Sequence, residues 1–196
     1  MRNIIYISVV IISGLSIISN LCVFESYKDQ TILLDDLAND KFSISIKDIV
    51  KVNHKYPTLA MNSFPLASIK ARYFEKYGDF DSALELSKTG INSNPNLADT
   101  YYIKARIFIS KDDYNKALSE LRTAYTITTK KNYISALYFT LLSELNYQKE
   151  LIDIYDFLKN TNDSETINFY LLALKKVLGE NSPFYLSALK NFKIKI

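Results

Sequence analysis

The side chains that could carry out catalysis are few in this sequence. His54 is the only histidine and Cys22 the only cysteine, so a multi-histidine metal site, a thiolate cluster and an intrachain disulfide are excluded. The paired carboxylates Asp35-Asp36 and Asp112-Asp113 are adjacent in sequence and point apart. No glycine-rich phosphate loop, HExxH or GxSxG motif is present. We therefore expect no enzymatic activity, no catalytic residues, no bound cofactor and no metal.

One six-residue motif, Ile-Lys-Ala-Arg-x-Phe, occurs twice, and each copy contains an arginine that could bind a partner. The copies begin at Ile69 and Ile103, 34 residues apart, and place Arg72 and Arg106 in equivalent positions. The similarity continues in register through each following segment. A 34-residue period in a helix-patterned stretch predicts stacked helical hairpins, each of which buries its apolar face against the next.

Small and aromatic residues recur within each repeat, where they would let the two helices of a hairpin approach closely and fill the remaining gaps. Together with a proline in the first repeat and a leucine in the second, the residues of this pattern are Ala71, Phe74, Gly78, Phe80, Ala83, Gly90 and Pro95 in residues 64–97, and Tyr101, Ala105, Phe108, Tyr114, Ala117, Leu121 and Ala124 in residues 98–131. This pattern resembles the tetratricopeptide repeat (TPR) family. The resemblance implies an all-α, TPR-like helical-hairpin solenoid over 64–192, with degenerate repeats beyond residue 131, where Phe139 replaces a small residue.

In the TPR family the first helix of each hairpin lines a concave binding face. The resemblance assigns this face, and tentatively partner binding, to Ser68, Arg72, Tyr102, Arg106 and Tyr133, and it also places Thr140 there. Two arginines on successive hairpins would suit an acidic or carboxylate-bearing peptide. The alternative is that both arginines pair with neighbouring acids and only solvate the face.

The N-terminal segment is apolar enough to enter a membrane. Residues 4–24 include no formally charged side chain, and a helix of about 20 residues crosses a bilayer. We interpret the segment as a retained transmembrane anchor or signal-anchor, with a cleaved signal peptide as the alternative. Arg2 and the α-amine favour a cytoplasmic N-terminus, with the body outside the cytoplasm and, in a bacterium, in the periplasm.

Residues 25–63 are predicted to form a juxtamembrane connector with short helices. Apolar residues near helical spacing predict one such helix within 42–56, which Pro57 would end. His54 would then lie in the last turn and face the C-terminal helix dipole.

The formal net charge of +3 arises from 24 basic and 21 acidic residues spread along the chain, so no nucleic-acid partner is expected. The favoured function is a membrane-anchored TPR scaffold that binds a protein or peptide partner in an extracytoplasmic assembly. The alternatives are an accessory or tail-like TPR module of an O-antigen ligase or polymerase-type glycan system, and a secreted soluble TPR protein.

Overall fold

Helices form the regular structure of this chain. The computed structural model describes residues 2–160 and 163–192, with side chains from residue 5 onward. Within that part of the chain there are ten helices and no β-strand, which confirms the predicted all-α repeat fold. In chain order these are α1 (Arg2–Asn39), α2 (Ile46–Lys51), α3 (Leu66–Lys76), α4 (Phe80–Ser93), α5 (Ala98–Ser110), α6 (Tyr114–Ile127), α7 (Asn132–Glu144), α8 (Gln148–Leu158), α9 (Ser164–Leu178) and α10 (Pro183–Asn191).

The turns between paired helices repeat with the 34-residue period of the sequence. Gly78, Asp112 and Asn146 adopt positive φ angles of 82°, 57° and 58° and reverse the chain after α3, α5 and α7. The carboxylates of Asp79 and Asp113 then cap α4 and α6 by accepting hydrogen bonds from backbone amides three residues later. The third turn keeps the conformation of the first two, so the degenerate repeat is still a hairpin of the same kind.

The chain divides into two compact units, Met1–Ile103 and Lys104–Ile196, and the division falls inside α5. In the first unit, α1 is a single helix of 38 residues. The sequence predicted a connector with short helices from residue 25, whereas residues 25–39 continue the helix of the apolar segment without a break.

The two parts of α1 have different surroundings. Nearly every side chain from residue 5 to residue 25 is exposed. From Ser26 onward a stripe at helical spacing is buried or partly buried, and it includes Gln30, Leu33 and Leu37. Leu33 packs into the core of the first unit, whose other buried members are Ile49, Val52, Ala60, Leu66, Ile69 and Tyr73.

Helix α1 ends where Asp40 turns the chain with a φ of 52°, and the amide of Lys41 donates to the carbonyl of Asp36 at 3.1 Å. The left-handed residue satisfies carbonyls of the last turn. The short helix α2 follows and packs on α3. Helix α2 and the C-terminal part of α1 therefore both pack against α3, the first helix of the repeats.

The sequence-based placement of His54 in the last turn of a helix was wrong. Helix α2 ends at Lys51, and His54 lies three residues beyond it. Lys70 takes the predicted role, because its ammonium group donates to the carbonyls of Val50 and Val52 at 3.1 Å and 2.7 Å. Burial, followed by the charges of Lys70 and Lys55, lowers the pKa of His54.

In the second unit, Phe139 stands where the repeat pattern expects a small residue, and the fold surrounds it with other rings. Phe139 is fully buried. Its ring centroid lies 5.6 Å from that of Tyr125, 5.7 Å from Tyr138 and 5.6 Å from Tyr170. Offset and edge-to-face aromatic pairs are favourable at such distances. An aromatic cluster thus fills the space that helix-to-helix contact fills in a regular repeat.

Candidate functional site

Ser68 lies at the crossing of α3 and α4. Its side chain is fully buried, and its Oγ has no hydrogen-bond partner among the described residues. A Cβ atom added at Gly90 would collide with this Oγ. Gly90 therefore permits the close approach of the two helices, and Ser68 fills the gap above it.

Arg72 is held inside the first unit by acidic and aromatic neighbours. The residue is 6% exposed. Its guanidinium group bonds to Glu75 on the same helix and to Asp40 after α1 at 2.9 Å, and it lies 5.4 Å from the ring centroid of Phe42. These contacts correspond to the alternative in which the arginine pairs with nearby acids.

The other predicted binding residues are more accessible. Tyr102, in the first unit, and Arg106, in the second, are half-buried on α5. In the second unit Tyr133, the second residue of α7, is 44% exposed, and the Nζ of Lys131 lies 6.0 Å from its ring centroid. Tyr133 and Thr140 are seven residues apart and therefore share a face of α7.

A shallow groove of about 160 Å³ runs between α7 and α9 in the second unit. Thr140, Ser143 and Glu144 form one side. The other side consists of Phe169, Leu172, Ala173 and Lys176 from α9. Leu172 is 64% exposed, and Lys176 forms an ion pair with Glu144. The groove therefore offers an apolar contact beside one charge of each sign.

The sequence predicted Thr140 on this face but missed the residues from α9. One signal was available. The buried stripe of α9 includes Ile167, Tyr170, Leu171 and Leu174, so Leu172 is an apolar side chain off that stripe. An exposed apolar residue on an amphipathic helix indicates a contact surface only when the residues around it in space are known. The repeat pattern beyond residue 131 is too weak to predict which residues surround Leu172.

A hydrogen-bonded cluster stabilises the second unit on α6, α7 and α8. The guanidinium group of Arg122 donates two hydrogen bonds, of 2.7 Å and 2.6 Å, to the carboxylate of Glu150, and the hydroxyl of Tyr138 donates to the same carboxylate. The bond from Arg122 lowers the pKa of Glu150 despite partial burial. Burial and the Glu150 carboxylate raise the pKa of Tyr138. Each polar group of the cluster thus has a charged or hydrogen-bonded partner. The cluster therefore has a structural role.

Two larger depressions are less suited to a partner. One of about 550 Å³ in the first unit includes His54, Lys70, Asp81 and Glu85 in its wall, but the ammonium group of Lys70 is already held by backbone carbonyls. The other, of about 460 Å³ in the second unit, is formed mostly by the consecutive residues 125–130. Within the described ranges, no group of three or more His, Cys, Asp or Glu residues could hold a metal ion.

Comparison with known proteins identifies the family. The sequence model of the ChAPs (Chs5p-Arf1p-binding proteins) matches residues 37–153. This chain belongs to the ChAPs family. The ChAPs match begins near the end of α1 and extends into α8. No curated protein sequence shows significant similarity to the chain.

Two solved structures of MamA resemble this ChAPs chain in fold. One crystal structure of MamA has a TM-score of 0.54 at 17% identity, over 81% of this chain and 89% of MamA. A second has a TM-score of 0.53 at 18% identity, over 84% and 88%. YrrB, described as a TPR protein with an unusual peptide-binding site, has a TM-score of 0.43 at 13% identity, over 74% and 90%. The chain is a TPR-like helical scaffold, and α1 is long and apolar enough to span a membrane or act as a signal anchor.

Proposed function

We propose that this chain is a non-enzymatic, single-pass membrane scaffold that holds a protein partner at the membrane surface. The observation that carries this proposal is the continuity of α1. One helix has an exposed apolar part, residues 5–24, and a second part whose Leu33 is fully buried in the core of the first unit. A helix that only directed secretion would have no need to continue into the folded body.

The dimensions of the apolar part suit a bilayer. The 21 uncharged residues 4–24 span about 31 Å at the rise of an α-helix, and the hydrocarbon core of a bilayer is about 30 Å thick. Its side chains, among them Ile11, Leu15 and Ile18, are 56%, 62% and 60% exposed. Exposure of such a large apolar surface to water would be strongly unfavourable. Insertion into lipid would remove this surface from water.

Arg2 supports an N-terminus in the cytoplasm and a body on the opposite side. Asn181, an exposed residue of the turn before α10, allows a direct test. In a Cys22→Ala background, an Asn181→Cys variant should react with a membrane-impermeant maleimide on intact cells. Labelling that requires cell lysis would contradict the proposed orientation.

We assign partner binding to the second unit, at the α7–α9 groove together with Tyr133 and Arg106. The burial of Ser68 and Arg72 in the first unit makes them poor contacts for a partner. The ChAPs are described as proteins that bind Chs5p and Arf1p, and this description supports a protein as the partner here. The groove suits a segment that presents an apolar side chain next to charged groups, since Leu172 lies beside the Glu144–Lys176 pair.

Site-specific photo-crosslinking tests this surface. A benzoylphenylalanine at Leu172 in the full chain should give a discrete protein adduct in native membranes. The matched control is the same residue at Leu186 on α10, which is 50% exposed and should not give that adduct. A Lys176→Glu change beside position 172 should reduce the adduct. Identical adducts from positions 172 and 186, or none from 172, would contradict the assignment.

A further inference from the structure

The loop of residues 53–62, between α2 and α3, lies along α1 and reaches the apolar part of that helix. In the first half of the loop, the hydroxyl group of Tyr56 is hydrogen-bonded to that of Ser19 on α1. Near the end of the loop, the amide of Met61 donates to the side-chain carbonyl of Gln30 at 3.1 Å. Ser19 and Gln30 are about 16 Å apart along the helix axis. The loop therefore descends beside α1 from the folded body to a point within the apolar segment.

The position of Tyr56 along α1 matches the edge of a bilayer. The uncharged segment ends at Phe24, so Ser19 lies about 8 Å inside that end. Tyr56 is 50% exposed, and its hydroxyl is already paired with Ser19, which removes the main cost of transferring the phenol towards lipid. Tyrosine is enriched where the hydrocarbon meets the headgroups, because its ring is apolar and its hydroxyl is polar.

Two lysines lie near the end of the apolar segment that is closer to the folded body. Lys55 precedes Tyr56, and Lys28 lies about 6 Å beyond Phe24 along α1; both side chains are exposed. A lysine near an interface can place its alkyl chain against apolar surface and its ammonium group among headgroups. Basic residues close to anionic lipid are attracted to it. An aromatic ring and two basic groups thus occur near the end of the apolar segment, where a bilayer interface is expected.

We infer that the 53–62 loop is a second membrane contact, which docks in the headgroup region of the bilayer that α1 spans. The inference rests on the proposed membrane insertion of α1. It adds a second point of attachment, since the loop belongs to the folded body. With two points at the membrane, rotation of the first unit about the α1 axis is restricted, and the unit presents a fixed side to the lipid.

The absence of tryptophan from the sequence makes a single-tryptophan experiment possible. Tyr56→Trp is prepared in the full chain and reconstituted into vesicles of phosphatidylcholine and phosphatidylglycerol. The matched control is Tyr77→Trp. Tyr77 is 49% exposed in the same unit and bonds to the carbonyl of Ile44 at 3.1 Å, on the side of the unit where α1 ends. A third variant, Thr58→Trp, reports on the loop while Tyr56 remains in place.

The expected result is blue-shifted emission from the Tyr56→Trp and Thr58→Trp chains, with quenching by lipids brominated near the headgroup. The Tyr77→Trp chain should give water-exposed, unquenched emission. If the two loop variants match the Tyr77→Trp control in chains that float with the vesicles, the loop contact is overturned and the anchor is left intact. Failure of every variant to float with the vesicles would overturn both the anchor and the loop contact. Circular dichroism that matches the native chain establishes that each variant is folded.

Discussion

The hydroxyl of Tyr73 on α3 donates a hydrogen bond to the carboxylate of Asp36 on α1, and both residues are almost completely buried. The backbone amide and the hydroxyl of Ser43 donate to the same carboxylate. A buried carboxylate is tolerated only when its oxygens are hydrogen-bonded. This contact joins the helix of the proposed anchor to the first repeat, within one unit.

Asp36→Asn should destabilise the first unit in a pH-dependent manner. Burial alone would raise the pKa of Asp36, but the hydrogen bonds from Tyr73 and Ser43 outweigh it and hold the pKa below its usual value. Because the pKa of Asp36 is lower in the folded chain than in the unfolded chain, its ionised carboxylate contributes to stability above the unfolded pKa of about 3.9. That contribution is lost as the pH falls through the folded-state pKa. We expect a loss of about 1–3 kcal/mol at pH 7, and a smaller difference from the native chain in acid.

Thermal melts of the full chain in detergent, followed by circular dichroism between neutral and acidic pH, measure this effect. Asp35→Asn is the matched control, because Asp35 is exposed and its bonds from Asn39 at 2.7 Å and Lys41 at 3.3 Å lie at the surface. The control should change the midpoint little. Equal effects of the two substitutions would show that Asp36 has no special role.

Gly90→Ala should weaken the first hairpin. The added methyl group would overlap the Oγ of Ser68 and lie 3.1 Å from its Cβ, and overpacking of this kind costs about 1–3 kcal/mol. Ser68→Ala removes an Oγ that has no hydrogen-bond partner within the described residues, so alone it should be neutral or slightly stabilising. The double variant should lose less than Gly90→Ala alone. Urea denaturation of all four chains gives this cycle, and strictly additive effects would exclude the contact.

Arg72→Ala should cost more stability than Arg106→Ala, although the two residues occupy equivalent positions in the repeat. Arg72 is buried, and its pair with Glu75 is almost completely excluded from water. Removal of one partner of such a pair costs about 3 kcal/mol. Arg106 is half-buried, and we expect a loss below about 1 kcal/mol. If urea denaturation gives Arg106→Ala the larger cost, Arg106 is a structural residue and should be removed from the proposed surface.

The hairpins could be predicted from sequence because their determinants are local and periodic. Ala83 and Ala117 recur in phase, and Asp79 and Asp113 cap the second helices of successive hairpins. The environment of Arg72 could not be predicted in the same way. Its partner Asp40 lies 32 residues earlier in the chain, outside the repeat that places the arginine.

The continuity of α1 was obscured for a related reason. The segment after residue 25 mixes acids with leucines, which is the usual composition of a connector. Leu33 and Asp36 are both buried, but the burial of Asp36 depends on Tyr73 and Ser43, and only the folded chain brings them together. The groove residue Leu172 was missed because the repeats beyond residue 131 are too degenerate to fix a register.

Glu150→Ala should destabilise the second unit. Its carboxylate accepts two hydrogen bonds from Arg122 and one from Tyr138. The ion pair is partly exposed to solvent, so we expect a loss of about 1–2 kcal/mol. Glu144→Ala is the control, because the Glu144–Lys176 pair is more exposed and should contribute little. Thermal melts that rank Glu144→Ala as the more damaging change would contradict this interpretation.

The most direct test of the account is alkaline carbonate extraction of membranes from cells that produce the chain, combined with N-terminal sequencing of each fraction. We predict that the full chain stays with the membranes and begins at its first residues, and that a chain without residues 1–24 is released. A soluble product that begins near residue 25 would contradict the central claim that α1 is a retained anchor.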